Sequence, residues 1–132
     1  ALFKGLVFTG APYLLKSELP WLHPLPRKSK GLHLDALGWN GNTGSSAINL
    51  ALLFGAKRIV LLGFDMQMGT TGANWYKEGS KRNCNGTYQG FLSSFSSVVK
   101  DWKTKFSDRE ILNVNDNSKL SGFPMMSITS FF

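Results

Sequence analysis

The stretch Gly41-Asn42-Thr43-Gly44-Ser45-Ser46 sets small and hydroxyl-bearing residues just before an apolar run, and Gly63-Phe64-Asp65 closes a second apolar run. A helix that opens on such a turn presents unpaired N–H groups and about half a positive charge, which suits a phosphate. Glycine there lets a ligand approach the backbone closely. The pattern is neither Gly-x-Gly-x-x-Gly nor a Walker loop, since no Gly-Lys-Ser/Thr follows, and an ordinary capped helix fits it equally well. Asp65, just past the second run, suits a ribose hydroxyl, a metal held through oxygen, or a turn cap.

Further along, Asn113, Asn115 and Asp116 follow a third strand-like run and could read a base or sugar, or form a turn. Asn74-Trp75-Tyr76 could stack on a base or sugar, or anchor its loop by burial. Nucleophilic and metal chemistry find less support. The two histidines, His23 and His33, are ten residues apart and lack zinc spacing. No Gly-x-Ser-x-Gly elbow is present. Cys84 has basic neighbours, including Arg82, that would make a thiol more reactive, yet no histidine partner stands near it in sequence.

Elements must carry these residues to one place. Residues 2 to 9 read as a strand and Gly10-Ala11-Pro12 as a turn. Pro20, Pro24 and Pro26 make residues 17 to 31 a loop. Residues 32 to 37 suit a short strand or an edge turn. Asn42 or Thr43 caps a helix that is apolar almost all round through Phe54, and Gly55 ends it in the left-handed region. Residues 59 to 62 form a short β-branched and leucine run suited to a parallel strand, which makes the helix part of a βαβ unit. Residues 66 to 87 are a long loop. Phe91, Leu92, Phe95, Val98, Val99, Trp102 and Phe106 form one stripe on a helix over 88 to 106, read as core packing. Residues 109 to 115 read as the next parallel strand, 117 to 124 as a loop, and Ser127 as the cap of a last helix.

The expected fold is α/β: a single Rossmann-like three-layer α/β/α domain over residues 1 to 132 with a mostly parallel sheet, either minimal or part of a longer domain. Such sheets bind ligands at the carboxyl ends of their strands, so loops 38 to 46, 63 to 75 and 113 to 118 are expected to converge there. Of 132 residues 42% are hydrophobic and 17% charged, as in a globular chain. The net charge of +7 is scattered over 27 to 30, 57 to 58, 77 to 82 and 100 to 105, which favours a solvated surface or a small phosphorylated ligand over a specific nucleic acid. No run approaches the roughly 18 apolar residues of a membrane span. One cysteine excludes an intrachain disulfide and suits a reducing, cytoplasmic setting.

The segment Asn42-Thr43-Gly44, Ala47, Leu50-Ala51 and Gly55 through Gln67, with its Gly-x-x-x-Ile-x-Leu-x-Gly-x-Asp pattern, resembles the phage and bacterial proteins grouped as domain of unknown function 115. These are similar to the bacterial sialyltransferases of glycosyltransferase family 42. Phe123-Pro124-Met125-Met126-Ser127 is similar to the closing segment of the phage members, and the resemblance covers roughly residues 38 to 128. It implies a nucleotide donor held by Asn42, Thr43 and Gly44 and by Gly63 and Asp65, without a metal cofactor, and a histidine base in the loop after Asp65. The chain departs at three points: no histidine follows His33, Asn74 precedes Trp75 where relatives carry histidine, and Gln67 stands where they carry a phosphate-binding tyrosine. Tyr76 or Tyr88 could supply a phosphate contact in its place.

The functional expectation is a nucleotide or nucleotide-sugar binding protein of glycosyltransferase type, with metal-independent transfer if active. A non-catalytic phage-type binding module is the alternative. A pterin pyrophosphokinase-like enzyme is a further one, in which Asp65 and Asp116 would hold magnesium. The candidate ligand-binding set is Asn42, Thr43, Gly44, Ser45, Ser46, Gly63, Asp65, Gln67, Asn74, Trp75, Asn113, Asn115 and Asp116.

Overall fold

A computed structural model describes residues 5–10, 21–67 and 84–132, the side chains at 84 and 85 excepted. Asn74, Trp75 and Tyr76, the Cys84 side chain and residues 2 to 4 of the first expected strand therefore lie outside the described residues. The described chain is an α/β structure in which all four strand pairings are parallel.

Helix α1, Thr43–Leu53, begins where Asn42 accepts the Ser45 N–H at 2.8 Å. It ends in a Schellman motif: Ala56 N–H donates to Ala51 O and Gly55 N–H to Leu52 O, both at 3.0 Å, with Gly55 at φ +81°. Strand β5, Arg58–Leu62, follows. Helix α2, Cys84–Lys105, starts four residues before the expected Tyr88, and its apolar stripe lies where the periodicity places it. Strand β6, Glu110–Val114, pairs with β5 so that Ile59 faces Ile111 and Leu61 faces Asn113, and Arg58 and Glu110 form an ion pair across the two strands. Strand β7, Met125–Met126, completes the order β5-β6-β7, and Ser127 caps the short α3, Ile128–Phe131, as expected.

Alternate residues of a strand face opposite sides. Ile59, Leu61 and Ile111 share one face, and they join Ile48 and Leu52 of α1 and Phe95 and Val98 of α2 in a single core. Both long helices thus cover the same face, and the described residues show two of the three expected layers. Phe95 sits at the centre, edge-on to Phe64 and Phe123, and the Trp102 indole packs on Phe123 while donating to Arg109 O at 2.8 Å.

Three sequence expectations change. First, residues 17 to 31 are not loop throughout: β2 spans Leu22–Pro24 and β3 spans Arg27–Lys28. Strands this short leave Pro24 and Pro26 at ends and junctions, where a missing N–H is tolerated. Second, β1, Val7–Thr9, pairs with β2, and β4, Leu37–Gly38, pairs with β3, in two small sheets of their own. The strands before α1 therefore do not join β5, and the βαβ unit among the described residues is β5-α2-β6. Third, α1 is not apolar on its buried side. Ser45, Ser46 and Asn49 are buried there together with Ile48 and Leu52, whereas Phe54 is exposed.

Asn49 explains this. Wholly buried, it accepts from Gly38 N–H (2.8 Å) and His33 N–H (3.2 Å) and donates to His33 O (2.9 Å). One side chain thereby satisfies three backbone groups of the irregular segment 31–40, which would otherwise be buried unpaired. Gly38 is held so closely that a Cβ there would stand 2.0 Å from Gly31 O. The Asp101 carboxylate of α2 anchors the same segment, accepting from Leu32 N–H at 2.8 Å and pairing with Lys105 at 3.0 Å. No helix of the described residues is long and apolar enough to cross a membrane.

Candidate functional site

At the carboxyl end of β5 the chain turns sharply. Gly63 has φ +71°, a conformation costly for other residues, and Met66 adopts φ +54°. Between them Phe64 folds inward against Phe95 and over Gly44, where a Cβ would meet its ring at 2.7 Å. Asp65 is left exposed. Its backbone carbonyl accepts from Lys119 N–H at 2.9 Å, and Ser118 Oγ donates to Phe64 O, so the loop after β6 holds the turn after β5.

Asn115 leaves the end of β6 and donates its amide to Asp65 Oδ1, while its own Oδ1 accepts from Asn117 N–H at 2.7 Å. Both ends of Asn115 are thus used in orienting Asp65. Asp116 accepts from Ile128 N–H at 3.3 Å through Oδ1. A cleft of about 540 Å³ opens here, with Gly63, Asp65 and residues 115 to 117 on its polar side and Leu62, Val114, Ile128 and Phe132 on its apolar side. Two carboxylates enter it, and among the described residues no Lys, Arg or His lines it.

The structure brings Gly63, Asp65, Asn115 and Asp116 together at this cleft. It places the other candidates elsewhere. Residues 42 to 46 touch Phe64 through Gly44 but do not line the cleft. The Asn42 side chain is spent on its own helix and on Ser94 Oγ (3.0 Å). Ser45 Oγ donates to Asn42 O and Ser46 Oγ to Gly38 O, each at 3.0 Å. Both serines are buried, and Thr43 is exposed at the first turn. Asn113 points into the core and donates to Leu120 O at 3.3 Å, because its place in β6 puts it on the Leu61 face. Its Oδ1 is buried without a partner among the described residues. Gln67 is bound to Asn117 O and braces the two loops without lining the cleft.

Comparison with models of known protein families, with curated proteins and with solved structures finds no match to this chain.

Neither histidine lines the cleft. His33 Nε2 lies 2.9 Å from Ser29 O, and the His23 ring stacks at a tilt on Phe8. Among the described residues no three His, Cys, Asp or Glu side chains cluster as a metal site. The second oxygens of Asp65 and Asp116 are acceptors for hydroxyl donors or for a hard cation. Apolar walls beside them suit the face of a ring. Sequence reasoning missed Leu62, Ile128 and Phe132. The signal for Ile128 and Phe132 was their four-residue spacing behind the Ser127 cap, which puts both on one side of a helical turn.

Proposed function

We propose that this chain binds a nucleotide or nucleotide sugar at the carboxyl edge of β5 and β6, as a Rossmann-like, glycosyltransferase-type domain. The observation that carries this reading is the cleft: two carboxylates, one oriented by Asn115, stand beside apolar walls at the end of parallel strands. Carboxylates accept from adjacent sugar hydroxyls, and the apolar side takes a ring face. The sugar portion of the ligand occupies the cleft, because the carboxylates of Asp65 and Asp116 accept from hydroxyls and no cation among the described residues lines it. The reading is one of binding. No imidazole follows His33 in the chain, so the histidine-base chemistry implied by the family resemblance has no residue to perform it. The single cysteine suits a cytoplasmic setting for such a protein.

The paired carboxylates also favour a second reading. Magnesium is commonly held by one or two carboxylates together with substrate phosphates. Asp65 and Asp116 supply that number, as the pyrophosphokinase-like alternative requires. A thermal-shift screen of uridine, cytidine, adenosine and guanosine nucleotides and their sugar conjugates, with and without magnesium, separates the two. Stabilisation by a nucleotide sugar that needs no magnesium and is lost in Asp65→Asn supports the first reading. Stabilisation only with magnesium supports the second. No stabilisation by any compound contradicts both.

A further inference from the structure

A second concavity lies on the far side of the loop that follows β6. Helix α2 and residues 119 to 122 enclose a groove of about 590 Å³. Its wall on α2 is formed by Leu92, Phe95 and Val99, with Leu120 closing the floor from the loop. On the same face of the helix, Lys100 and Lys103 follow, and Lys119 reaches in from the loop. The groove is therefore polarised: its apolar part lies toward the start of α2 and its cationic part toward the end. At 1.5 Å per residue the distance along the helix from Leu92 to Lys103 is roughly 16 Å.

Two further observations make this a formed site. The loop wall is fixed against the helix, because a Cβ at Gly122 would stand 2.4 Å from Val99 Cγ2. The Leu120 carbonyl is tied to Asn113 in the core, and Leu120 N–H donates to Ser118 Oγ at 3.0 Å. The cations are also unclaimed. Lys105, on the same turn of helix, is paired with Asp101, but no carboxylate among the described residues lies within ion-pair distance of Lys100, Lys103 or Lys119. Three like charges around an apolar floor repel one another, and an anion among them relieves that repulsion.

We propose that this groove binds a small anionic amphiphile, an apolar chain or ring bearing a phosphate or carboxylate, with its body on Leu92, Phe95 and Val99 and its head among Lys100, Lys103 and Lys119. The groove is separate from the cleft at Asp65, and the proposal does not rest on the function assigned there. Its volume is that of a small-molecule site, with a mostly apolar lining and a few placed polar groups.

The test is isothermal titration of the full chain with dodecyl phosphate and with laurate, each below its micellar concentration. Inorganic phosphate and dodecyltrimethylammonium serve as controls. Saturable binding of either anionic amphiphile is expected, and the preferred head group tells phosphate from carboxylate ligands. Binding should weaken at least tenfold in Lys100→Glu/Lys119→Glu and fall as salt is raised. It should also be lost in Ser96→Trp, which fills the groove without changing charge, and remain unchanged in Asp65→Asn. Lys119→Gln, a single change at an exposed loop position, carries the same expectation in smaller degree if the double variant does not fold. Equal binding of inorganic phosphate or of dodecyltrimethylammonium would overturn the proposal, as would no binding, or full binding by the lysine variants.

Discussion

The residues that organise this chain are short polar side chains buried against backbone. Asn49 serves three backbone groups of segment 31–40 from within a helix whose neighbours are leucine and isoleucine. Removing one partner of a buried hydrogen bond costs about 1–3 kcal/mol. Asn49→Ala should therefore lose on the order of 3 kcal/mol and lower the melting temperature by about 10 °C; a change of less than a degree in a thermal melt would show that the segment is held by other means. Asp101 gives a prediction in pH. Burial pushes its carboxyl upward, but the Lys105 ammonium and the Leu32 N–H outweigh that and hold it below its ordinary value of 3.8. A depressed folded value means that the contribution is complete above the unfolded pKa and is lost as pH falls through the folded one. The stability gap between the native chain and Asp101→Asn should be constant near neutrality and shrink below about pH 4. A gap that widened in acid would contradict the assignment.

At the scale of elements, α2 is the most constrained. Its stripe of Leu92, Phe95, Val98, Val99 and Trp102 meets β5, β6 and the 119–122 loop. Gly122 lets that loop lie directly on Val99. Valine is stiff at χ1 and cannot swing aside, so Gly122→Ala should cost about 1–3 kcal/mol. Val99→Ala added to it should restore part of the loss, because the two sites share one contact. Chemical denaturation of the single and double variants measures the coupling; strict additivity would place the clash elsewhere. The same elements show what could be read beforehand. The three- and four-residue steps of α2, the apolar runs of β5 and β6, the Asn42 and Ser127 caps and the Gly55 stop were legible because each is a local pattern. Strands β2 and β3 were not. Two or three residues are too few to show alternation, and their prolines mimic a loop. Nor was the polar side of α1, because a buried asparagine is identified by its distant partners and not by its neighbours in sequence.

Across the whole molecule, one loop serves two concavities. Residues 115 to 118 brace Asp65 on the cleft side, while 119 to 122 form the wall of the lysine groove. At the cleft, Gly63 and Asp65 were legible from the Gly-x-Asp at a strand end, and Asp116 from its place after β6. The roles of Asn113 and Asn115 were not, since only the strand register decides that one faces the core and the other faces Asp65. The turn at 42 to 46 had the composition of a phosphate cradle, yet its side chains close on themselves and on Phe64. A ligand in the cleft at a hundred times its dissociation constant should stabilise the fold by about 2.7 kcal/mol. Asp116→Asn should weaken binding without lowering the melting temperature of the free chain by more than about 2 °C, since Asp116 is exposed and makes one long hydrogen bond to α3. A large loss of stability in the free variant would make it a structural residue.

Amide chemical-shift mapping of the labelled chain decides whether the proposed ligand occupies the carboxylate cleft at the ends of β5 and β6. The titrant is the nucleotide or nucleotide sugar that stabilises it most. The largest shifts are expected at Gly63, Asp65 and Asn115 to Asn117 and around Ile128 to Phe132, and Asp65→Asn should abolish them. Shifts concentrated at Thr43 to Ser46, with residues 115 to 117 unmoved, would contradict that placement.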